Sequence, residues 1–107
     1  MESSVVVVLS TCSDRQSAEI LAAALVEEQL CACVNIVGPI ASVYRWQGKV
    51  ERSEEFLCIA KTTTTAVAAL KLRLPQLHPY EVPELVVLPT IDGLPSYFDW
   101  VLGSVKS

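Results

Sequence analysis

The apolar positions in the first third of the chain change from an extended pattern to a helical one. Ser4–Ser10 is a short β-branched run, which is typical of a buried central strand. Ser13 and Asp14 can cap a helix directly after it, and Gln16 lies three residues after Ser13, as in a capping box. This helix is predicted to end near Leu30. Its apolar face comprises Ala18, Leu21, Ala22 and Leu25.

The middle of the chain, from Ala32 to Thr62, has an extended pattern that predicts one long β-hairpin. The Gln47-Gly48 pair predicts the turn between its two strands. On the return strand, side chains alternate between two largely apolar faces: Phe56, Cys58 and Ala60 point one way, and Leu57, Ile59 and Lys61 point the other. A sheet that is covered on both faces explains this pattern.

The last third of the chain predicts a helix, a strand and a final helix. The hydroxyls of Thr62–Thr65 are suited to capping the second helix, and Pro75 is expected to kink it or to end its regular part. Glu84–Thr90 is predicted as the fourth strand. The apolar positions of the two helices are Val67, Leu70, Leu74 and Leu77 in the second helix and Leu94, Tyr97, Phe98, Val101, Leu102 and Val105 in the last one.

The order β-α-β-β-α-β-α predicts an α+β fold. It is the order of a ferredoxin-like sandwich, in which two helices cover one face of an antiparallel sheet, here with an added C-terminal helix. A chain of 107 residues is one ordinary domain, so residues 1–107 are assigned to a single domain. Such a fold leaves one sheet face open. Because the hairpin strands are long and apolar on both faces, we expect another copy of the chain to cover that face.

Composition and charge support an oligomer and exclude some partners. Hydrophobic residues make up 51% of the chain and charged residues 19%, which is apolar for so small a body. We interpret the excess as a buried subunit interface. The net charge is −4 and the basic residues are scattered, so a nucleic acid would be repelled.

Two further features indicate a cytoplasmic location. The longest early apolar run, Val5–Leu9, is far shorter than the roughly 20 residues of a membrane helix, and no basic residue precedes it. Neither a transmembrane span nor a signal peptide is therefore predicted, and no membrane partner is expected. The four cysteines are interpreted as reduced thiols in a cytoplasm.

Several motifs together resemble the CutA family, the divalent-cation tolerance proteins. The resemblance covers nearly the whole chain and includes the stretches CACVNIVGPIASVYRWQGKVE, FLCIAKTT and LHPYEVPELVVLPTIDGLPSYFDWV. It implies a compact cytoplasmic homotrimer of ferredoxin-like subunits, similar in architecture to the nitrogen-signalling PII proteins. It also implies copper binding, with no defined physiological role.

The metal ligands implied by the resemblance are only partly present. Copper-binding members are associated with a cysteine at the end of the first strand and with paired histidines before Pro-Tyr, but Ser10 and Leu77 occupy two of these positions here. His78 remains, and one imidazole is a poor copper site by itself. The soft partner would be Cys12, whose place before the first helix is expected to lower its pKa. Copper(II) or another divalent metal is thus assigned to His78 and Cys12, and no organic cofactor is expected.

A ligand cleft between subunits is the favoured site, for a divalent metal or a small anion. Its predicted lining is Cys12, Cys33, Trp46, Lys61, His78, Tyr80 and Glu81. Each residue also has a structural interpretation. His78 can be a cap whose ring bonds the backbone, Cys31, Cys33 and Cys58 can be buried core residues, Lys61 can extend its stem over the surface, and Trp46 and Trp100 can pack in an interface.

Three functions follow from these alternatives, and none of them is enzymatic, because no nucleophile pair or second histidine accompanies Glu81 and Glu84. The favoured one is a trimeric binding protein linked to divalent-cation tolerance. The others are a PII-like sensor of a small molecule or anion, and a structural trimer that anchors partner proteins. Metal binding requires a Cys12–His78 distance of a few ångströms, whereas sensing requires a polar pocket of several hundred cubic ångströms.

Overall fold

The computed structural model describes residues 4–106, and its centre is a four-stranded antiparallel sheet with the strand order β2-β3-β1-β4. The strands are β1 (Val5–Cys12), β2 (Cys33–Trp46), β3 (Lys49–Thr63) and β4 (Val86–Pro89). The helices are α1 (Arg15–Glu27), α2 (Val67–Leu77) and α3 (Pro95–Ser104), and a short 3-10 turn, Thr64–Ala66, precedes α2.

The chain order β1-α1-β2-β3-α2-β4-α3 confirms the prediction of an α+β, ferredoxin-like fold with an added C-terminal helix. The single-domain assignment of residues 1–107 also includes residues 1–3 and 107, which lie outside the described residues. That assignment stays a prediction.

The main core lies between the sheet and the helices α1 and α2. The even-numbered residues of β1 face these helices, and all four of them are buried. Leu21 and Leu25 of α1 and Leu70 and Leu74 of α2 pack in the same cluster. Burying one leucine side chain contributes about 1.5–3 kcal/mol to folding. The apolar faces predicted for the two helices therefore hold both of them on one side of the sheet.

The opposite face of the sheet, which we call the open face, is covered at one end only. There Val101 of α3 and Val105, which directly follows the helix, pack against the sheet. Further along, Leu88 of β4 pairs with Val7 of β1, and paired residues of an antiparallel sheet point to the same face. Leu88 and Val86 leave 42% and 44% of their surface exposed on this face. A single chain therefore leaves apolar surface uncovered here.

The long hairpin extends beyond the rest of the sheet. Strand β1 pairs with β3 only from Phe56 to Thr63, so among residues 4–106 the only strand that pairs with Lys49–Glu55 is β2. We call Ile40–Trp46 and Lys49–Glu55 together the arm. The molecule is accordingly elongated, with extents of 44 × 27 × 23 Å.

A β-bulge separates the arm from the body of the sheet. The register shifts between Val37 and Ile40, so that β2 contains one residue more than β3 in this stretch. Because one extra residue exchanges the faces of a strand, Tyr44 and Trp46 continue the open face beyond the bulge. Gly38 lies within the bulge, and the ring of Phe56 occupies the space that a side chain at Gly38 would need.

Helix α1 begins as predicted and ends earlier than predicted. Asp14 is its N-cap, and its Oδ1 accepts a hydrogen bond of 2.7 Å from the backbone N–H of Ser17, so Ser17 takes the position expected for Gln16. The helix ends at Glu27 instead of near Leu30. The cause is Gln29, whose φ of 61° is left-handed and stops the helix in a Schellman motif.

Three details of the second half of the chain also differ from the prediction. The threonine hydroxyls do not cap α2: Thr62 Oγ1 donates to the carbonyl of Leu30 at 2.6 Å, and no side chain caps the helix. Pro75 lies inside α2, which continues to Leu77, because only the last turn is affected. Strand β4 is shorter than Glu84–Thr90, since only Val86–Pro89 finds partners on β1.

Candidate functional site

His78 joins the end of α2 to the end of β1. Pro79 disfavours a helical conformation at His78, which is extended with φ −89° and ψ 135°. The His78 Nδ1 accepts a hydrogen bond of 3.1 Å from the backbone N–H of Tyr80, and Nε2 lies 2.7 Å from the carbonyl oxygen of Thr11. A carbonyl can only accept, so Nε2 carries the proton. Both ring nitrogens are therefore bonded to the backbone, and the ring is 7% exposed.

Cys12 contacts His78, as metal binding requires, but its surroundings raise the pKa of its thiol. The distance from Cys12 Sγ to His78 Nε2 is 3.6 Å, and Cys12 is fully buried. A hydrogen bond with Cys58 and burial both raise the pKa of Cys12. The expected lowering of this pKa is therefore wrong. The side chain points from β1 into the core, away from the solvent-exposed N-terminus of α1.

The described residues contain no preformed metal centre. Among residues 4–106, no group of three or more histidine, cysteine, aspartate or glutamate side chains could hold a metal ion. Ser10, at the position where a cysteine is expected in copper-binding members, is 3% exposed and its Oγ has no hydrogen-bond partner in this part of the chain. A metal at His78 and Cys12 would have to displace existing hydrogen bonds.

Three of the predicted cleft residues, Trp46, Tyr80 and Glu81, line one groove that runs along the open face of the arm from its base. The groove has a volume of about 660 Å³. Its lining also includes Thr11, Ala41, Ser42, Val43, Tyr44, Glu55, Val82 and Glu84. Pro79 and Pro83 hold the segment between α2 and β4 extended, which carries Tyr80 and Glu81 across the end of β1 into this groove.

Glu55 is the groove residue that the sequence interpretation missed. It is 8% exposed, and the Tyr80 hydroxyl donates a hydrogen bond of 2.7 Å to its Oε2. Burial and this bond raise the pKa of Tyr80, so the phenol stays a donor. The sequence signal is weak, because Glu55 follows other acidic and polar residues of the hairpin, and its burial depends on Tyr80, which lies 25 positions away in the chain.

Cys33 and Lys61 lie elsewhere on the open face. They form a cross-strand pair; the Lys61 ammonium donates to Asn35 Oδ1, and Cys33 Sγ lies 3.7 Å from the hydroxyl of Tyr97. This contact with Cys33 raises the pKa of Tyr97. Lys61 is six residues from Glu55 along β3, which corresponds to roughly 20 Å. Within one chain, these two residues and the groove are therefore separate.

The remaining cysteines match their structural interpretation. Cys31 and Cys58 are buried in the main core, and burial raises the pKa of Cys31 to about 12. All four cysteines are free thiols. Among residues 4–106, no helix is long and apolar enough to span a membrane.

The fold and the groove define a ferredoxin-like α+β protein with an acidic groove at the base of a long hairpin. The chain belongs to the family of CutA1 divalent ion tolerance proteins, whose family model matches residues 6–104. The divalent-cation tolerance protein CutA of Thermus thermophilus is 52% identical over 95 residues, covering 89% of this chain and 92% of that protein.

Two further comparisons agree with this family. The crystal structure of CutA from Xylella fastidiosa superimposes with a TM-score of 0.93 at 41% identity and covers 97% of this chain and 100% of that one. Mouse protein CutA is 43% identical over 91 residues, which is 85% of this chain. The present chain spans only about half, 51%, of the mouse protein.

Proposed function

We propose that the protein is a non-enzymatic, cytoplasmic homotrimer that binds a ligand in clefts between subunits and contributes to divalent-cation tolerance. The observation that carries this proposal is the arm. A single chain extends two paired strands beyond its own body, and only another chain can complete the sheet around them. The number three comes from the family resemblance, and the four free thiols support a reducing compartment.

Two properties of the arm support assembly. Among residues 4–106, no strand pairs with the edge of Lys49–Glu55 that points away from β2, and unpaired strand edges of this kind pair readily with another chain. The arm also exposes large apolar side chains: Val43 and Val50 are 58% and 61% exposed. Together with the open face, this surface is what a subunit interface would bury.

Light scattering tests the assembly directly. We expect a mass of about three times the 11.6 kDa chain mass, with no populated native monomer during unfolding, because folding and assembly are merged. A stable monomer at micromolar concentration would contradict the proposal.

Copper(II) is the first metal to test, because the Cys12 and His78 side chains are in contact. Binding would require His78 to release the carbonyl of Thr11 or the amide of Tyr80, and this cost favours weak binding. Titration calorimetry with copper(II) should show binding that His78→Ala abolishes and that Cys33→Ser leaves unchanged. The opposite pattern would move the site to the partly buried thiol of Cys33.

A second candidate function, a PII-like sensor, is supported by the groove. Its volume of about 660 Å³ is in the range of small-molecule sites. A small anion is a poor match to this groove, whose charged lining residues are Glu55, Glu81 and Glu84; an anion would suit Lys61 better. A purely anchoring trimer requires neither feature. A thermal-shift screen with metals and charged metabolites separates the three, because a ligand that prefers the folded trimer must stabilise it.

A further inference from the structure

The carboxylate of Glu55 has no counter-charge in the described chain. The neutral hydroxyl of Tyr80 donates a hydrogen bond to Oε2 of Glu55. No donor among residues 4–106 bonds the other oxygen, Oε1. In the same range, the only ion pair joins Arg73 to Glu28. Oε1 is therefore left as an acceptor for a donor from outside the chain. Hydrogen bonds between a cationic donor and a carboxylate are the strong ones.

The groove around Glu55 strengthens the preference for a cation. Glu81 and Glu84 add two carboxylates, and the lining contains neither lysine nor arginine. Tyr44 and Trp46 form an aromatic wall, and they are 43% and 40% exposed. The faces of such rings attract ammonium and guanidinium groups as well as apolar carbon.

A bare metal ion does not suit this groove. Hard divalent cations require several oxygen ligands around one point, but no three acidic, histidine or cysteine side chains of residues 4–106 converge in this way. An organic cation requires fewer charged ligands than a metal ion does. One carboxylate pairs with its charged group, and aromatic side chains cover its carbon skeleton.

From this geometry we propose that the groove binds a small organic cation, with its ammonium or guanidinium group on Glu55 and its apolar or aromatic body against Tyr44. The proposal rests on the proposed function, since it assigns a ligand class to the cleft at the base of the arm. It does not depend on the copper site at His78.

Two probes that share an indole ring and differ in charge test the ligand class. Tryptamine carries an ammonium group, and indole-3-propionate carries a carboxylate. Titration calorimetry of the wild-type protein should show binding of tryptamine and none of indole-3-propionate. Equal binding of both probes, or binding of the anion alone, would overturn the proposal.

Matched charge removals test the site. Glu55→Gln keeps the size and the hydrogen-bond acceptor, and it should weaken tryptamine binding by about tenfold or more. Glu19→Gln removes the same charge from the exposed surface of α1 and should leave the affinity unchanged. Glu81→Gln changes an exposed lining residue and should weaken binding by about threefold. This variant replaces Glu55→Gln in the test if Glu55→Gln does not fold. Equal affinities in all available variants would overturn the proposal.

The mass of each protein, measured by light scattering, separates this proposal from the proposed function. A trimer that does not bind tryptamine overturns the organic-cation site and leaves the assembly standing. If Glu55→Gln destabilises the trimer much more than Glu19→Gln and tryptamine does not bind, the cation is a basic side chain of a neighbouring copy. That result also overturns the proposal.

Discussion

The body of the sheet and the arm are built from the same two strands but differ in what covers them. In the body, β3 lies between β1 and β2, and its residues Phe56, Cys58 and Ala60 are at most 8% exposed beneath the helices. In the arm, β3 has one neighbour, and Val50 is 61% exposed. The body can be stable by packing within one chain, whereas the proposed assembly would bury the apolar side chains of the arm.

The largest expected effect comes from a cavity in the body. Leu70→Ala, at a fully buried position of α2, should lower the free energy of unfolding by about 2–5 kcal/mol per subunit. Leu72→Ala, two residues away and 75% exposed, should change it by less than about 0.5 kcal/mol. Urea unfolding measures both. Similar losses in the two variants would show that α2 is not held by the core described above.

The next effect concerns the open face and should appear in assembly. Leu88→Ser places a polar group on this face and should cost about 1 kcal/mol per subunit, which is roughly a hundredfold in the trimer assembly constant. Leu72→Ser makes the same change on the helical side and should leave assembly intact. Dilution followed by light scattering makes the comparison. Equal dissociation of both variants would remove the open face from the interface.

A smaller effect is expected for buried hydroxyls of the body, where one has a partner and one does not. Ser10→Ala removes a buried hydroxyl that has no hydrogen-bond partner among residues 4–106, and it should raise the free energy of unfolding by about 1 kcal/mol. Thr62→Val removes the bond to Leu30 and should lower it by a similar amount. Denaturation midpoints of the two variants should move in opposite directions. Destabilisation by Ser10→Ala would show that its hydroxyl has a partner in solution.

The smallest effect is expected at the N-cap of α1. The hydrogen bond from the Ser17 backbone N–H lowers the pKa of Asp14, so the cap stabilises the fold fully above the unfolded carboxyl pKa of about 3.9. This stabilisation is lost as the pH falls through the lowered folded pKa. Asp14→Ala should therefore melt earlier than wild type at pH 7, and the two should converge in acid. Glu19→Ala on the same helix serves as the control, and a pH-independent difference for Asp14→Ala would contradict the assignment.

The fold could be predicted because each element has its own local pattern. The apolar spacing of α1 and α2 and the two-faced apolar alternation of β3 depend on residues close in the chain. The predictions were wrong where a side chain or the backbone makes a different local interaction from the one that the pattern suggests. Gln29 has a left-handed conformation, which a glutamine does not predict. The hydroxyl of Thr62 donates to the carbonyl of Leu30 instead of capping a helix.

The site could be predicted only in part, because its geometry depends on contacts between distant segments. The prolines beside Tyr80 and Glu81 indicated a held, extended segment, and these residues do reach the groove with Trp46. The structural interpretation of His78, a ring that bonds the backbone, is confirmed. No local signal showed that Glu55 would be buried under Tyr80. Those contacts exist only once the end of β1 meets the end of α2.

Hydrogen exchange on the arm tests most directly the claim that other copies complete this fold. Within residues 4–106 of a single chain, no strand pairs with the edge of Lys49–Glu55 facing away from β2, and its amides would exchange much faster than those of Phe56–Thr63, which β1 covers. We predict that in solution the two segments of β3 are protected to a similar degree, because a neighbouring chain pairs with or covers the arm. Fast exchange confined to Lys49–Glu55 in the native protein would contradict the account.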